Sequence, residues 1–383
     1  MGRVARTSGI AFSRQIRNPM YAGSCGFASG GRGDWQERDD VLAFARQSPI
    51  YDKCFSEQNP ANLPSAQEWV DKGLFLRDKL SVGQATPINS NFGIRIFHFY
   101  LPLYFWLRYL VRCRRGQDLP TGTQNNSEPL CSQPRTIVVG LNAPQGAGKT
   151  TLVNLCRALF SLDGLSCVAL SIDDFYLTND DQQRLAAQHS GNRLLEHRGN
   201  AGTHDVALGR DTIIQCVQAG EGEKVALPRY DKSLGAGRGD RAHRQQWPVV
   251  EGRIDVVLLE GWMLGFRPLP PDAPQLQKEA GLAQVNANLG EYEQWHALVD
   301  AWAVIQVEDL SIIASWRLEA ERGMRRERGA EGGMTDAQVR DFVSRFMPSY
   351  TAFSEHSIYN EDELSRKKPV LRIFFDKERN PTG

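Results

Sequence analysis

Val138-Val139-Gly140-Leu141-Asn142-Ala143-Pro144-Gln145-Gly146-Ala147-Gly148-Lys149-Thr150-Thr151-Leu152 holds three pieces in a fixed order. A β-branched run feeds a glycine-rich turn, and the turn opens into an amphipathic helix. Gly146, Ala147 and Gly148 let successive backbone N–H groups turn inward, forming an anion-binding nest at a helix N-terminus. In such a loop Lys149 reaches the β- and γ-phosphates and the Thr150 hydroxyl ligates Mg2+. Gln145, Gly146, Ala147, Gly148, Lys149, Thr150 and Thr151 are the expected nucleotide contacts. Leu152, Val153, Cys156, Leu159 and Phe160 then make a core-facing helical stripe. Ala143 replaces the first glycine of G-x-x-x-x-G-K-[ST], which is tolerable only if its φ is negative.

Downstream, a second apolar run ends in Ser171-Ile172-Asp173-Asp174-Phe175-Tyr176. An alcohol attacking a γ-phosphoryl group needs a positioned acceptor for its proton, and a strand-end carboxylate supplies one. Successive strand side chains point opposite ways, so one of the two aspartates faces the substrate. Asp173 is expected to be the base, with Asp174 on the substrate or a metal-bound water. A third run, Val256-Val257-Leu258-Leu259-Glu260-Gly261, puts Glu260 where a phosphate-loop protein carries an acid that holds Mg2+ through water. Thr150, Asp173 and Glu260 form the expected metal set.

Strands are expected at 136–141, 167–172, 254–259, 302–307 and 370–375. Helices are expected after the phosphate loop and at 211–219, 286–299, 310–328 and 335–346. Strands spaced by helices give an α/β fold, a parallel sheet covered on both faces with ligands at the C-terminal strand ends. Two glycine-bearing loops supply an acceptor site. Residues 227–241 bring Arg229, Lys232, Arg238 and Arg241, suited to capturing a carboxylate or phosphate. Residues 198–205 bring Arg198, His204 and Asp205 as a substrate wall. The basic helix at 310–328, followed by Gly329, Gly332 and Gly333, suits a lid over the transferring phosphate, with Arg317 its expected catalytic cation.

The chain has 383 residues, with 45 basic against 45 acidic side chains, and nothing global suggests nucleic acid. Residues 1–33 carry Arg3, Arg6, Arg14, Arg17 and Arg32 but no lysine and no acid, the pattern of an organelle transit peptide or a disordered tail. The most apolar stretch, 97–113, falls short of the ~20 residues a membrane span needs and contains Pro102, Arg108 and Arg112. A buried, domain-packing helix is expected there, and no membrane association. A polar linker at 115–134 divides a mostly helical region, 34–134, from a catalytic region, 135–383. Seven scattered cysteines without a C-x-x-C pair suggest reduced thiols. Oligomeric state is not legible.

APQGAGKTTLV, SIDDFYLT, EHRGNAGTHD, LPRYDKSLGAGRGDR, LLEGWMLGF, VNANLGEY, DFVSRFMPSY and the final DKERNP together resemble the plant-type D-glycerate 3-kinases, over about residues 94–381. The resemblance implies a P-loop kinase fold and phosphorylation of D-glycerate to 3-phosphoglycerate with ATP and Mg2+. It also implies a photorespiratory role in the chloroplast stroma if 1–33 is a transit peptide, and a cytoplasmic one otherwise. In the wider superfamily of uridine, phosphoribulose and pantothenate kinases, the base falls on Asp173 and an acceptor-lining Tyr-Asp pair on Tyr230 and Asp231. Alanine at the first loop position is that family's habit. Physics alone leaves open a sister kinase for a nucleoside or phosphosugar. A nucleotide-dependent switch or ATPase is the other class, though no N-K-x-D or L-S-G-G-Q signature occurs.

Overall fold

The computed structural model describes residues 38–81, 91–118, 136–328, 334–360 and 367–383. The transit-peptide reading of 1–33, most of the linker and the lid glycines 329, 332 and 333 lie outside them. In chain order the helices are α1 (Arg38–Arg46), α2 (Tyr51–Phe55), α3 (Ala66–Ser81), α4 (Asn91–Arg95), α5 (Leu101–Arg114), α6 (Lys149–Leu162), α7 (Asn179–Gln188), α8 (Val206–Gln218), α9 (Leu282–Leu289), α10 (Glu293–His296), α11 (Ile312–Arg328), α12 (Asp336–Ser344) and α13 (Met347–Phe353). The strands are β1 (Ile137–Asn142), β2 (Cys167–Ser171), β3 (Lys224–Ala226), β4 (Tyr230–Asp231), β5 (Asp240–Arg241), β6 (Val249–Glu251), β7 (Val256–Gly261), β8 (Ala301–Val307) and β9 (Val370–Phe375).

The five long strands make one parallel sheet in the order β2-β7-β1-β8-β9. Alternating side chains feed two cores. Ile137, Val139, Leu141, Val256 and Leu258 join α6 and the N-terminal helices on one face; Val138, Val168, Leu170, Val257 and Leu259 join α8 through α13 on the other. Burial on both faces explains why these strands are continuous apolar runs in the sequence. Gly140 pairs with Trp302 on β8, and a Cβ there would stand 2.7 Å from the indole, so only glycine admits that buried ring.

Most expected boundaries hold to within two residues, and three differences matter for the site or the core. Strand β7 ends at Gly261 rather than residue 259, which brings Glu260 inside the strand. Helix α8 starts five residues before the expected 211, because the Asp205 carboxylate caps it by accepting from Leu208 N at 3.0 Å. The single helix expected at 286–299 is broken into α9, a 3-10 turn at Gly290–Tyr292 and α10. Gly290 weakens the helix there, while Tyr292 and Trp295 are pulled into the core.

The apolar stretch 97–113 is buried. It begins in a π-helical turn, Ile96–Tyr100, in which Leu101 N bonds Ile96 O. Pro102 follows and has no N–H for a regular turn, so a locally widened helix accommodates it. Trp69 is fully buried edge-on to Phe105, with ring centroids 4.7 Å apart. Polar groups fasten these helices to the phosphate-loop helix. Lys72, Tyr104 and Arg108 all converge on Asp163, the residue that ends α6, and Arg108 also pairs with Glu68. Among the described residues no helix is long and apolar enough to cross a membrane.

Burial tends to raise the Asp163 carboxyl, but Lys72, Tyr104 and Arg108 outweigh it and hold it below the ordinary carboxylate value. A depressed folded value means stability that is full above the unfolded value and is lost as pH falls from there through the folded value. Asp163→Asn leaves Lys72, 4% exposed, with only the more distant Glu68 at 3.9 Å. It should cost about 3 kcal/mol at neutral pH. Denaturant titrations of wild type and variant should converge as pH falls below about 4.

Candidate active site

Strand β1 delivers the loop 143–148 to the N-terminus of α6. Gly146 and Gly148 take φ of 81 and 92, while Arg379 is the one non-glycine at positive φ among the described residues, so Ala143 fits its place. No side chain caps α6, and Gly148, Thr150 and Thr151 are exposed at its start. This is an open helix N-terminus with free amides, the arrangement that binds phosphate. Lys149 Nζ is folded back onto the carbonyls of Ala143 at 3.0 Å and Pro144 at 3.2 Å. Burial lowers its pKa, while Glu260 and Asp173 favour the charged form.

Register sets the rest. Leu141 on β1 and Ser171 on β2 both pair with Glu260 on β7, so Glu260 stands between the phosphate loop and the carboxylate pair. It is buried, and burial raises its pKa against the pull of Lys149. Beyond Ser171 the chain enters a 3-10 turn, Ile172–Phe175, started by Asp173 N donating to Ser171 Oγ at 3.3 Å. The two aspartates then diverge. Asp173 accepts from Tyr176 OH at 2.9 Å and from Lys232 Nζ at 2.6 Å. Burial opposes its charge, but Lys232 and Tyr176 hold the carboxyl well below the ordinary range. Asp174 accepts from Arg229 Nη1 at 2.9 Å and Tyr230 N at 3.2 Å, which anchors β4. Burial raises its pKa in spite of Arg229.

His204 stacks on Tyr176 with ring centroids 4.5 Å apart. Tyr292 OH accepts from Gly202 N at 3.0 Å and shares a hydrogen bond with His204 Nδ1 at 2.6 Å. Nε2 is buried without a hydrogen-bond partner among the described residues. Burial lowers the His204 pKa to about 4, against the opposing charge of Asp173, so the ring is neutral at physiological pH.

The other expected site residues divide into two groups. Arg229, Tyr230 and Lys232 converge on the aspartates. Arg241 instead bonds Tyr176 O at 3.1 Å and Asp205 at 3.0 Å, so this pair ties β5 to the start of α8. Arg198 donates to the carbonyls of Arg238 and Gly237 and lies over the Tyr230 ring, bracing the loop that follows β4. Arg238 enters through that carbonyl, and Asp231 is exposed and holds the turn through Ser233. Arg317 on α11 pairs with buried Glu321 and lies over Phe342.

Sequence reasoning assigned no role to Tyr176, Tyr292, Tyr350, Trp316 or Arg379. Tyr350 OH accepts from Gln145 N at 3.0 Å, and Arg379 Nε donates to Gly146 O at 2.8 Å. A Cβ on Gly146 would stand 2.6 Å from the Trp316 Cβ, so α11 packs directly on the loop. Tyr176, Tyr292, Tyr350 and Arg379 lie within the sequence blocks that carry the family resemblance, whereas Trp316 lies between two of them and carries no such signal.

No family model matches the chain. It is 40% identical over 294 residues to "D-glycerate 3-kinase, chloroplastic" of Arabidopsis thaliana, an alignment covering 75% of this chain and 60% of that protein. It is 32% identical over 256 residues to an uncharacterized kinase of Schizosaccharomyces pombe, covering 64% of this chain and 90% of the other. A solved D-glycerate 3-kinase from Cryptococcus neoformans matches with a TM-score of 0.62 and 32% identity, over 74% of this chain and 97% of that one. The chain thus spans less than two thirds of the plant relative's length and nearly all of the solved fungal chain. With this loop, these carboxylates and these relatives, the chain belongs to the D-glycerate 3-kinase family of P-loop kinases.

Proposed function

We propose that this chain transfers the γ-phosphoryl group of ATP to the 3-hydroxyl of D-glycerate, giving 3-phospho-D-glycerate and ADP. The observation that carries this reading is the meeting of Lys149, Glu260 and Asp173 at the ends of adjacent parallel strands, with Lys232 on the Asp173 carboxylate. The relatives' names supply the acceptor.

The α6 amides and Lys149 hold the triphosphate, and Lys149 gives up two carbonyls to do so. The substrate hydroxyl oxygen forms the new bond to the γ-phosphorus as the bond to the bridging oxygen of ADP breaks. Asp173 orients that hydroxyl and takes its proton. A carboxylate held so far below the ordinary range is a weak base, and a loose transition state suits one, because the proton need leave only late. Lys232 is 58% exposed and bonded to the Asp173 oxygen that the hydroxyl needs. Its movement from Asp173 to the glycerate carboxylate frees the base and grips the substrate in one motion. Arg317 supplies positive charge beside the transferring group.

The hydroxyl of Thr150 and the carboxylates of Asp173 and Glu260 are hard oxygen donors of the kind Mg2+ takes, one or two at a time beside phosphate oxygens and water. Among the described residues no group of three or more His, Cys, Asp and Glu is placed to hold a metal alone. Held by these residues, Mg2+ would supply positive charge to offset that of the phosphates. The acid-free, Arg-rich residues 1–33 and the plant relative's chloroplastic form support a chloroplast placement, and a photorespiratory role rests on the sequence resemblance alone.

Three outcomes are expected. Asp173→Asn should lower glycerate-dependent ADP release by on the order of 10²-fold or more in a coupled assay; an undiminished rate removes Asp173 as base. Lys232→Met should raise the KM for glycerate by about tenfold while that for ATP holds, and an unchanged glycerate KM contradicts the exchange. Residues 1–33 fused to a fluorescent protein should enter plant chloroplasts; retention in the cytoplasm removes the plastid placement.

A further inference from the structure

We propose that Arg379 is a positioning residue for the nucleotide-binding loop, coupling it to the helix that carries Arg317. The inference rests on the nucleotide-binding reading of that loop and not on glycerate as the acceptor. Three contacts leave one guanidinium. Arg379 Nε donates to Gly146 O at 2.8 Å, Nη1 meets Glu319 Oε2 at 2.7 Å, and the group lies 5.0 Å from the centre of the Trp316 ring. Trp316 and Glu319 both lie on α11, and the Trp316 indole donates to Lys377 O at 2.8 Å. The phosphate loop, α11 and the turn after β9 therefore meet at this side chain. A planar fork with several fixed donors can serve the three together, where a lysine cannot.

The backbone shows the same emphasis. Arg379 has a φ of 65, a conformation that favours glycine. Asp376 enforces it. Its carboxylate accepts from Asn380 N at 2.8 Å and Asn380 Nδ2 at 3.3 Å, and its carbonyl accepts from Arg379 N at 3.0 Å. A backbone strained at a functional position persists only where its surroundings over-determine it.

The consequence follows from peptide geometry. Fixing the Gly146 carbonyl fixes the whole plane it shares with the Ala147 N–H. Tyr350 fixes the peptide plane between Pro144 and Gln145 by accepting from Gln145 N. The turn is then held at both of its shoulders while Gly148, Lys149 and Thr150 present their amides to the phosphates. Arg379 is 16% exposed and touches neither Asp173 nor Lys232 among the contacts described, so it acts on the loop rather than on the acceptor.

The positive φ supplies its own control. Arg379→Gly removes the clamp yet suits the turn, and Arg379→Lys keeps the charge while losing the fork. Binding of ADP with Mg2+ would be measured by calorimetry on the full chain, together with both KM values and the melting temperature. Arg379→Gly should weaken ADP and raise the KM for ATP by about tenfold, with the glycerate KM unchanged. Arg379→Lys should fall between. Equal ADP affinity in wild type and Arg379→Gly overturns the proposal. So does a lower melting temperature in both variants with the KM for ATP unchanged, which marks a purely structural residue. Wild type that fails to bind ADP defeats the nucleotide reading itself, a result distinct from either.

Discussion

The pairing of three adjacent strands, β1, β7 and β2, is the constraint on which the rest depends. Leu141, Glu260 and Ser171 lie in one row across them. A glycine-rich loop begins just past the first strand, buried Glu260 stands near the end of the second, and Asp173 and Asp174 follow the third. Register in such a sheet cannot drift by one residue, because a slip moves every side chain to the other face. Here both faces are close-packed, so a slip would exchange side chains of different volume between the two cores and carry Glu260 out of line with the loop. The N-terminal helices complete one of those faces, and the cluster around Asp163 fixes them to the end of α6. They are part of the scaffold that holds the loop.

Electrostatics at the row explains the site's poise. Burial favours the neutral form of Glu260 and of Lys149, while their mutual attraction favours both charges. Asp173 is settled by Lys232, an exposed cation that can leave. His204 resolves the opposite way: its Nδ1 is occupied by Tyr292 and burial keeps its ring neutral, so it lines the site without adding charge. An entering nucleotide brings several negative charges. In the proposed reaction Lys149 would meet them, and Lys232, released from Asp173, would meet the acceptor's carboxylate.

Much of this was legible in the sequence, and the reasons are specific. All five sheet strands announce themselves as apolar β-rich runs because the sheet is covered on both sides. The loop announces itself because only glycine satisfies its turns. Elements that depend on a distant partner were harder to see. The two-residue strands Tyr230–Asp231 and Asp240–Arg241 are too short for any periodicity, and α8 begins where a cap dictates. Among candidate site residues, Asp173 follows a strand, Glu260 closes an apolar run and Lys149 follows the glycine-rich loop, so each stands at a recognisable place in the sequence. Arg241 and Asp205 looked like ligand groups by type, yet they neutralise each other across a loop. Arg379 could not be found by spacing, since its partners, Gly146 and Glu319, are remote in the chain and its conformation is set by a local turn.

The most direct test of the account is the fate of the γ-phosphoryl group. Purified chain would be incubated with ATP, Mg2+ and D-glycerate, and the products resolved by phosphorus NMR and mass. The account predicts 3-phospho-D-glycerate in equal amount to ADP, and no sustained ADP release without glycerate. ADP appearing with inorganic phosphate, or phosphate on the 2-hydroxyl, would contradict it.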